Sequence, residues 1–485
     1  MRAPPWLLEM KLTHYPTLRG RHAPRRLTPV GVRAILPGRM RETPRTSEPA
    51  ALAHPGFKEA LRFWLKLGFI SFGGPTGQIA IMHTELVEKK RWIGEERFLH
   101  ALNYCMLLPG PEAQQLAIYC GWLLHRTWGG LTAGILFVLP SAFILWGLSL
   151  VYVSYGNVPW ISAVFYGLKP AVLAIVAAAV LRIGSKALKN AVMWSLAALA
   201  FVAIFFFHAS FPAIILAAAL LGYGGGLRWE KIFNVVKGHG AKPPADRAAV
   251  IDDTHAAPAH TKPSLLRAVR VLAVGLALWW LPVLATALAQ GRAGTLVQES
   301  LFFSKAAMVT FGGAYAVLPY VAQQAVENFH WLTAPQMLDG LGLAETTPGP
   351  LIMVLQFVGF LGGWNHPGAL SPLLAATLGA ALTTWVTFVP CFIWIFLGAP
   401  YLEQLRNQTR LTCALSAVTA AVVGVVLNLA VWFGLHVVLP AGGKADWFVV
   451  VVALLAFAAL QRFKAGVIPV VLAGAGLGLL KHLVA

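Results

Sequence analysis

The hydrophobic pattern divides the chain into two kinds of apolar segment. Long stretches nearly free of charge run through Leu131–Val153, Ala191–Phe207, Ala213–Leu221, Val271–Ala289, Leu373–Leu397 and Leu411–Leu435. Most are long enough to cross a bilayer, which takes about 20 apolar residues in a helix. Shorter segments precede them, roughly Phe57–Phe72, Thr76–Lys90, Glu95–Leu108 and Glu112–Leu124. At about 1.5 Å per residue each reaches about 20–24 Å, short of the ~30 Å hydrocarbon core. They are joined at Phe72-Gly73-Gly74-Pro75 and at Pro109-Gly110-Pro111. Gly takes positive φ without a Cβ clash, whereas Pro removes a donor and stops a helix. Each pair therefore reads as a re-entrant hairpin with its tip inside the membrane. Non-helical backbone survives at that depth only against protein or a wet cavity.

The pattern occurs twice. Phe72-Gly73-Gly74 returns as Phe311-Gly312-Gly313, and Pro109-Gly110-Pro111 returns as Pro348-Gly349-Pro350, both 239 positions later (72 to 311, 109 to 348). Lys66 maps to Lys305, Ser71 to Thr310, Glu88 to Glu327 and Trp92 to Trp331. One spacing that carries a Lys, a Glu and a Trp with it marks a duplication. Loop charge gives the orientation. Eight Lys or Arg residues lie between Arg228 and Arg270, which reads as a cytoplasmic segment. Counting spans from there puts Arg182–Lys189 inside and Tyr155–Trp160 outside. Val271–Ala289 has no counterpart in the first half and delivers the second copy to the opposite face. The hairpin loop Lys89-Lys90-Arg91 is basic, while its counterpart Asn328-Phe329-His330 carries no Lys or Arg, as inversion requires.

The expected fold is an all-α polytopic membrane protein of two inverted-topology repeats, each with two re-entrant helical hairpins followed by full transmembrane helices. Residues 1–56 form a basic N-terminal extension expected to be disordered. A membrane repeat spans 57–227, a cytoplasmic loop 228–268, a connecting helix 269–290 and the inverted repeat 291–485. The N-terminus is expected inside and the C-terminus in the periplasm. Such repeats place a substrate site near the midplane, between the halves.

Composition agrees with a membrane protein. Hydrophobic residues make up 58% of the chain and charged residues 12%, against about 25% charged in soluble domains; the mean hydropathy is +0.67. A net charge of +19 would point to nucleic acid in a soluble protein. Here residues 1–56 hold ten Arg or Lys against three acidic residues, and the central loop is basic too. That is the pattern of cytoplasmic segments beside a membrane, so no nucleic acid is expected. The four cysteines sit in apolar segments without paired spacing and imply neither disulfides nor a metal site. His83, Glu85 and Glu88 lack the His-Glu-x-x-His spacing and read as a solvated helix end. The chain has no Walker A loop, dinucleotide fingerprint or nucleophile elbow, which argues against an ATP-driven pump, an enzyme or a cofactor.

The candidate chemistry gathers at the four tips. Helix N-termini after the breaks, at Thr76, Glu112, Ala314 and Leu351, would aim free N–H groups at one region and form an anion site of backbone. The alternative is that the Gly/Pro clusters are kinks for helix packing. Lys66 and Lys305 lie six residues before their Phe-Gly-Gly motifs, and two ammonium groups across a cavity suit a dianion. Alternatively each snorkels to a headgroup, since Lys58, Arg62 and Lys66 recur every four residues. Gln114 and Gln115 are placed either to donate amide hydrogens to a tetrahedral oxyanion or to line a helix interface. Glu112 and Glu345 flank the Pro-Gly-Pro breaks as candidates for proton coupling, although Glu112 equally suits a helix cap.

Specific stretches carry a family resemblance. Phe72-Gly73-Gly74-Pro75, Val87-Glu88-Lys89-Lys90-Arg91-Trp92 and Leu108-Pro109-Gly110-Pro111-Glu112-Ala113-Gln114-Gln115-Leu116-Ala117 resemble the N-terminal half of the chromate ion transporter family. Phe311-Gly312-Gly313-Ala314-Tyr315 and Ala344-Glu345-Thr346-Thr347-Pro348-Gly349-Pro350-Leu351 resemble its C-terminal half. The likeness runs from about Phe57 to the C-terminus. It implies a long-chain, two-repeat protein of the bacterial inner membrane that exports chromate and confers resistance. It also implies functional roles for Gly73, Gly74, Pro109, Gly110, Gly312, Gly313, Pro348 and Gly349. One departure is Ala314-Tyr315, where many relatives have Gly followed by His. The expected mechanism is a secondary carrier with alternating access; sulfate carriage or exchange and a passive anion channel are the rivals. The partners this reading allows are chromate or sulfate, the lipid bilayer and a second copy in a homodimer.

Overall fold

The computed structural model describes residues 53–72, 74–235, 249–251, 259–401, 409–439 and 443–484. The extension up to residue 52, Gly73 and most of the central loop lie outside the described residues. The first copy contains α1 (Phe57–Ile70), α2 (Gly74–His83), α3 (Glu95–Leu107), α4 (Glu112–Tyr155), α5 (Pro159–Ala187), α6 (Ala191–Phe207), α7 (Phe211–Arg228) and the short α8 (Glu230–Phe233). After α9 (Leu265–Gln290), the second contains α10 (Thr295–Val309), α11 (Ala314–Gln323), α12 (Ala334–Thr346), α13 (Val354–Asn365), α14 (Pro372–Gly398), α15 (Thr409–Val438), α16 (Trp447–Arg462) and α17 (Val467–Val484). Among the described residues seven helices are long and apolar enough to cross a membrane: α4, α5, α7, α9, α14, α15 and α17. The chain is a multi-span, all-helical membrane protein.

The duplication is written into the backbone. α2 runs into a π-helical turn, Thr84–Lys89, and α11 into its counterpart, Gln324–Asn328. Lys90 N–H donates to the Glu85 carbonyl at 3.0 Å, and Phe329 N–H to that of Gln324 at 2.8 Å. The following residues, Arg91 and His330, both turn left-handed with φ of 51° and 53°. All these pairs stand 239 positions apart or within one residue of it.

α4 unites two segments that the hydrophobic pattern separates. Its helical path breaks at His125 and Arg126, where Arg126 takes φ 55° and ψ −150°. A Cβ added at Gly121 would stand 2.3 Å from the Gly129 carbonyl oxygen, and one at Gly129 would stand 2.1 Å from that of Gly121. Residues eight apart in a straight helix are separated by about 12 Å, so the arms 112–124 and 127–155 fold back on one another. α13 and α14 pack equally closely: a Cβ at Gly363 would lie 2.4 Å from the Ala375 carbonyl oxygen. Glycine is what permits this approach in a membrane, where close packing substitutes for the missing hydrophobic drive.

The halves interlock. α5 packs against α16 and α17, while α15 packs against α6 and α7. Both crossings use small residues: Gly167 lies against Gly474 and Gly478, and Gly222 against Cys413 and Ala417. The described part of the central loop is tied to the first copy. Gly94 N–H donates to the Ile251 carbonyl at 2.8 Å, and Ile251 N–H to that of Trp92 at 3.1 Å. α9 buries only Trp279 and Val283.

Candidate functional site

The four helix breaks meet between the halves, and two hydrogen bonds show how. Ser71 ends α1 with its hydroxyl bonded back to the Leu67 carbonyl at 2.6 Å; Thr310 ends α10 likewise, on Ala306, at 2.7 Å. Such back-bonding competes with the helix ladder and leaves the residue's own carbonyl turned outward. The Ser71 carbonyl accepts from Gly349 N–H at 2.7 Å, and the Thr310 carbonyl from Gly110 N–H at 2.8 Å. Each Pro-Gly-Pro tip is thus bonded to the broken helix of the other half, and the two bonds are mutual images.

The two kinds of break then differ. Gly110 (φ 117°) and Gly349 (φ 110°) are tightly enclosed. A Cβ on Gly110 would stand 2.8 Å from Cys391 Sγ in α14, and one on Gly349 2.6 Å from Ser141 Cβ in α4. The amides of these tips are used in holding the halves together, with Pro109 and Pro348 beside them. The Gly-Gly breaks border open space instead. A Cβ on Gly74 would meet nothing within 4 Å, one on Gly312 only Thr419 Oγ1 at 4.0 Å, and one on Gly313 only Pro75 of the other half at 3.8 Å. These three glycines also have positive φ, so backbone rather than side chains faces that space. Gly73 lies outside the described residues.

Charged and polar groups surround the breaks. Tyr315, in the first turn of α11, donates its hydroxyl to Glu345 Oε1. Arg182 and Lys186 stand one turn apart near the C-terminal end of α5. Deeper along α5, Lys169 lies 3.8 Å from Asp339 of α12, whose other oxygen accepts from Tyr152 at 3.0 Å. This triad bridges the halves, and the Asp339 side chain is only 5% exposed. Gln78 donates to the Gly349 carbonyl at 2.6 Å.

The structure distributes the residues expected from sequence among different places. Gln115 uses its amide on the Pro109 carbonyl at 2.7 Å and on Cys391 Sγ. Gln114 is fully buried, and neither atom of its amide has a partner; it lines an apolar groove of about 560 Å³ between α4 and α14. Lys66 and Lys305 lie on exposed faces beside exposed Leu65 and Phe69, and beside Leu301 and Met308, respectively. His83 lies 3.2 Å from Glu88 and 2.8 Å from Glu95, a polar cluster at the hairpin loop. Arg182, Lys186, Lys169, Asp339 and Gln78 were not singled out by sequence. A lone Lys midway along an apolar helix is itself the signal for Lys169, because a charge at bilayer depth is costly.

A family model described as Chromate transporter matches residues 58–223 and 297–479, which bracket α1–α7 and α10–α17. The chain is 30% identical over 421 residues to a chromate transport protein of Cupriavidus metallidurans, covering 87% of this chain and 92% of that one. It is 34% identical over 371 residues to a chromate transport protein of Pseudomonas aeruginosa, covering 75% and 77%. It is 28% identical over 385 residues to a probable chromate transport protein of Synechococcus elongatus, covering 79% and 86%. No solved structure matches the chain.

Proposed function

Because this chain belongs to the chromate transporter family, we propose that it is a secondary transporter that exports chromate across the bacterial inner membrane and so confers resistance. The observation that carries the reading is the open space beside Gly74, Gly312 and Gly313, faced by backbone of both halves. A compact oxyanion is suited by backbone N–H groups at helix starts and by a nearby guanidinium. Lys66 and Lys305 add positive charge at equivalent positions of the two copies. Glu345, bonded to the Tyr315 hydroxyl, and Glu112 respond when the anion's charge arrives or leaves.

Alternating access follows if the halves are inverted. In each copy the hairpins return to their starting face and four helices then cross, so each copy ends where it began. The single crossing of α9 then turns the second copy over, which puts the N-terminus inside and the C-terminus in the periplasm. Reagents applied from one side test this directly. Single-cysteine variants Lys89→Cys and Asn328→Cys should be labelled from opposite faces, since the natural cysteines are buried. Labelling from the same face removes the arrangement.

The transport reading predicts that inside-out vesicles carrying the wild type take up radiolabelled chromate, and that cells expressing it grow in chromate. Lys66→Ala and Lys305→Ala, at equal abundance, should each lose most of that uptake and resistance. Full activity in both leaves Arg182 and Lys186 as the cations of the site. Sulfate uptake exceeding that of chromate would reassign the substrate, and strictly downhill flux would make the protein a channel.

A further inference from the structure

Glu299 stands in the second turn of α10, fully buried, and neither of its carboxyl oxygens has a hydrogen-bond partner. Its head group fills a niche made by glycines of α13 and α14. A Cβ at Gly362 would stand 2.1 Å from Oε1, and one at Gly379 2.8 Å from Oε2. Trp331 closes the niche, 3.1 Å from the same Gly362 position. Thr383, on the α14 side, is also buried with its hydroxyl unpartnered.

Among the described residues, none forms an ion pair or hydrogen bond with the Glu299 carboxyl. α13 carries no titratable side chain, and α14 carries only Cys391. α11 contributes Tyr315 and Tyr320; α9 has Arg267 and Arg270 near its opposite end, roughly 30 Å along its axis from the turn into α10, and Arg292 in that turn is exposed, away from the fully buried Glu299. Lys305 lies six residues further along α10 on an exposed face, and His330, beside Trp331, has its Nδ1 bonded to the Val326 carbonyl. A carboxylate in that setting carries a desolvation penalty with nothing to offset it. One proton on either oxygen removes the charge. Ionisable groups retained inside membrane segments mark the routes of protons and ions.

We propose that Glu299 is a proton-binding site of the transport cycle, holding one proton while α13 and α14 close on it and releasing that proton when they move away from α10. The inference rests on the chain being a chromate carrier and names the ion whose movement is coupled to the anion's. It differs from Glu345, whose carboxyl accepts from the Tyr315 hydroxyl.

The test uses purified full-length protein in liposomes with an imposed pH gradient. The wild type accumulates chromate uphill. Glu299→Gln, which keeps size and removes the titratable oxygen, keeps chromate counterflow at zero gradient and loses uphill accumulation. Gradient-driven accumulation retained by Glu299→Gln overturns the proposal. A wild type that moves no chromate overturns the functional reading instead. In that event, or if Glu299→Gln also loses counterflow, labelling by dicyclohexylcarbodiimide decides, since this reagent modifies protonated carboxyls in apolar surroundings. An adduct on Glu299 of the wild type that weakens as pH rises supports the site. Its absence throughout about pH 5 to pH 9 overturns it.

Discussion

Replacing Gly349 by valine should abolish chromate transport and destabilise the protein more than any exposed substitution. Two independent effects combine. The residue has φ of 110°, where an L side chain is strained by about 1–3 kcal/mol. Its Cβ would also stand 2.6 Å from Ser141 Cβ, and overpacking of this kind costs about another 1–3 kcal/mol. The same backbone donates the Gly349 bond to Ser71, so relief of the clash by movement breaks one of the two links between the halves. Gly110→Val should behave alike, whereas Gly74→Ala, at positive φ but in open space, should pay only the conformational cost. Thermal unfolding in detergent and chromate flux in vesicles measure both. If Gly349→Val unfolds like wild type, the tip packing described above is wrong.

Lys169→Met should lose transport and about 3–5 kcal/mol of stability, because it leaves Asp339 buried without its cation. The double variant Lys169→Met/Asp339→Asn should recover most of the stability, since removing both charges removes the uncompensated one. Transport should stay low in the double variant if the pair must open and close between the halves during the cycle. Equal stability of single and double variants would mean that the 3.8 Å contact contributes nothing. A thermal unfolding series of the wild type, the two single variants and the double variant isolates the pairwise part.

The motifs at the tips were legible in the sequence because Gly and Pro have few uses inside a membrane and because they recur at one spacing. Ser71 and Thr310 illustrate how far that went: their equivalence could be read, but not that each carbonyl would accept from the opposite tip. The two bonds are images of each other under the 239-residue offset, yet they join residues 278 and 200 apart along the chain (71 to 349, 110 to 310), and local propensity holds no trace of them. The difference between enclosed Pro-Gly-Pro and open Gly-Gly breaks was equally out of reach, since it depends on Ser141 and Cys391 arriving from other helices. Repetition also misdirects. Asp339 and Glu299 have His100 and Ala60 at the matching positions of the first copy, so a search for repeated charges passes over them. Arg182 and Lys186 look like loop charges at a helix end, and the fold takes both into the last turns of α5.

The paired links at the centre have the form of a contact between identical subunits, in which each partner supplies one donor and one acceptor. α9, which joins the copies, is nearly bare of buried side chains. Cohesion therefore comes from the crossed helices and the mutual tips, to which peptide continuity through α9 adds little. Two separate polypeptides, each one copy long, would satisfy every one of these contacts, so that a pair of small genes could encode what is here a single chain.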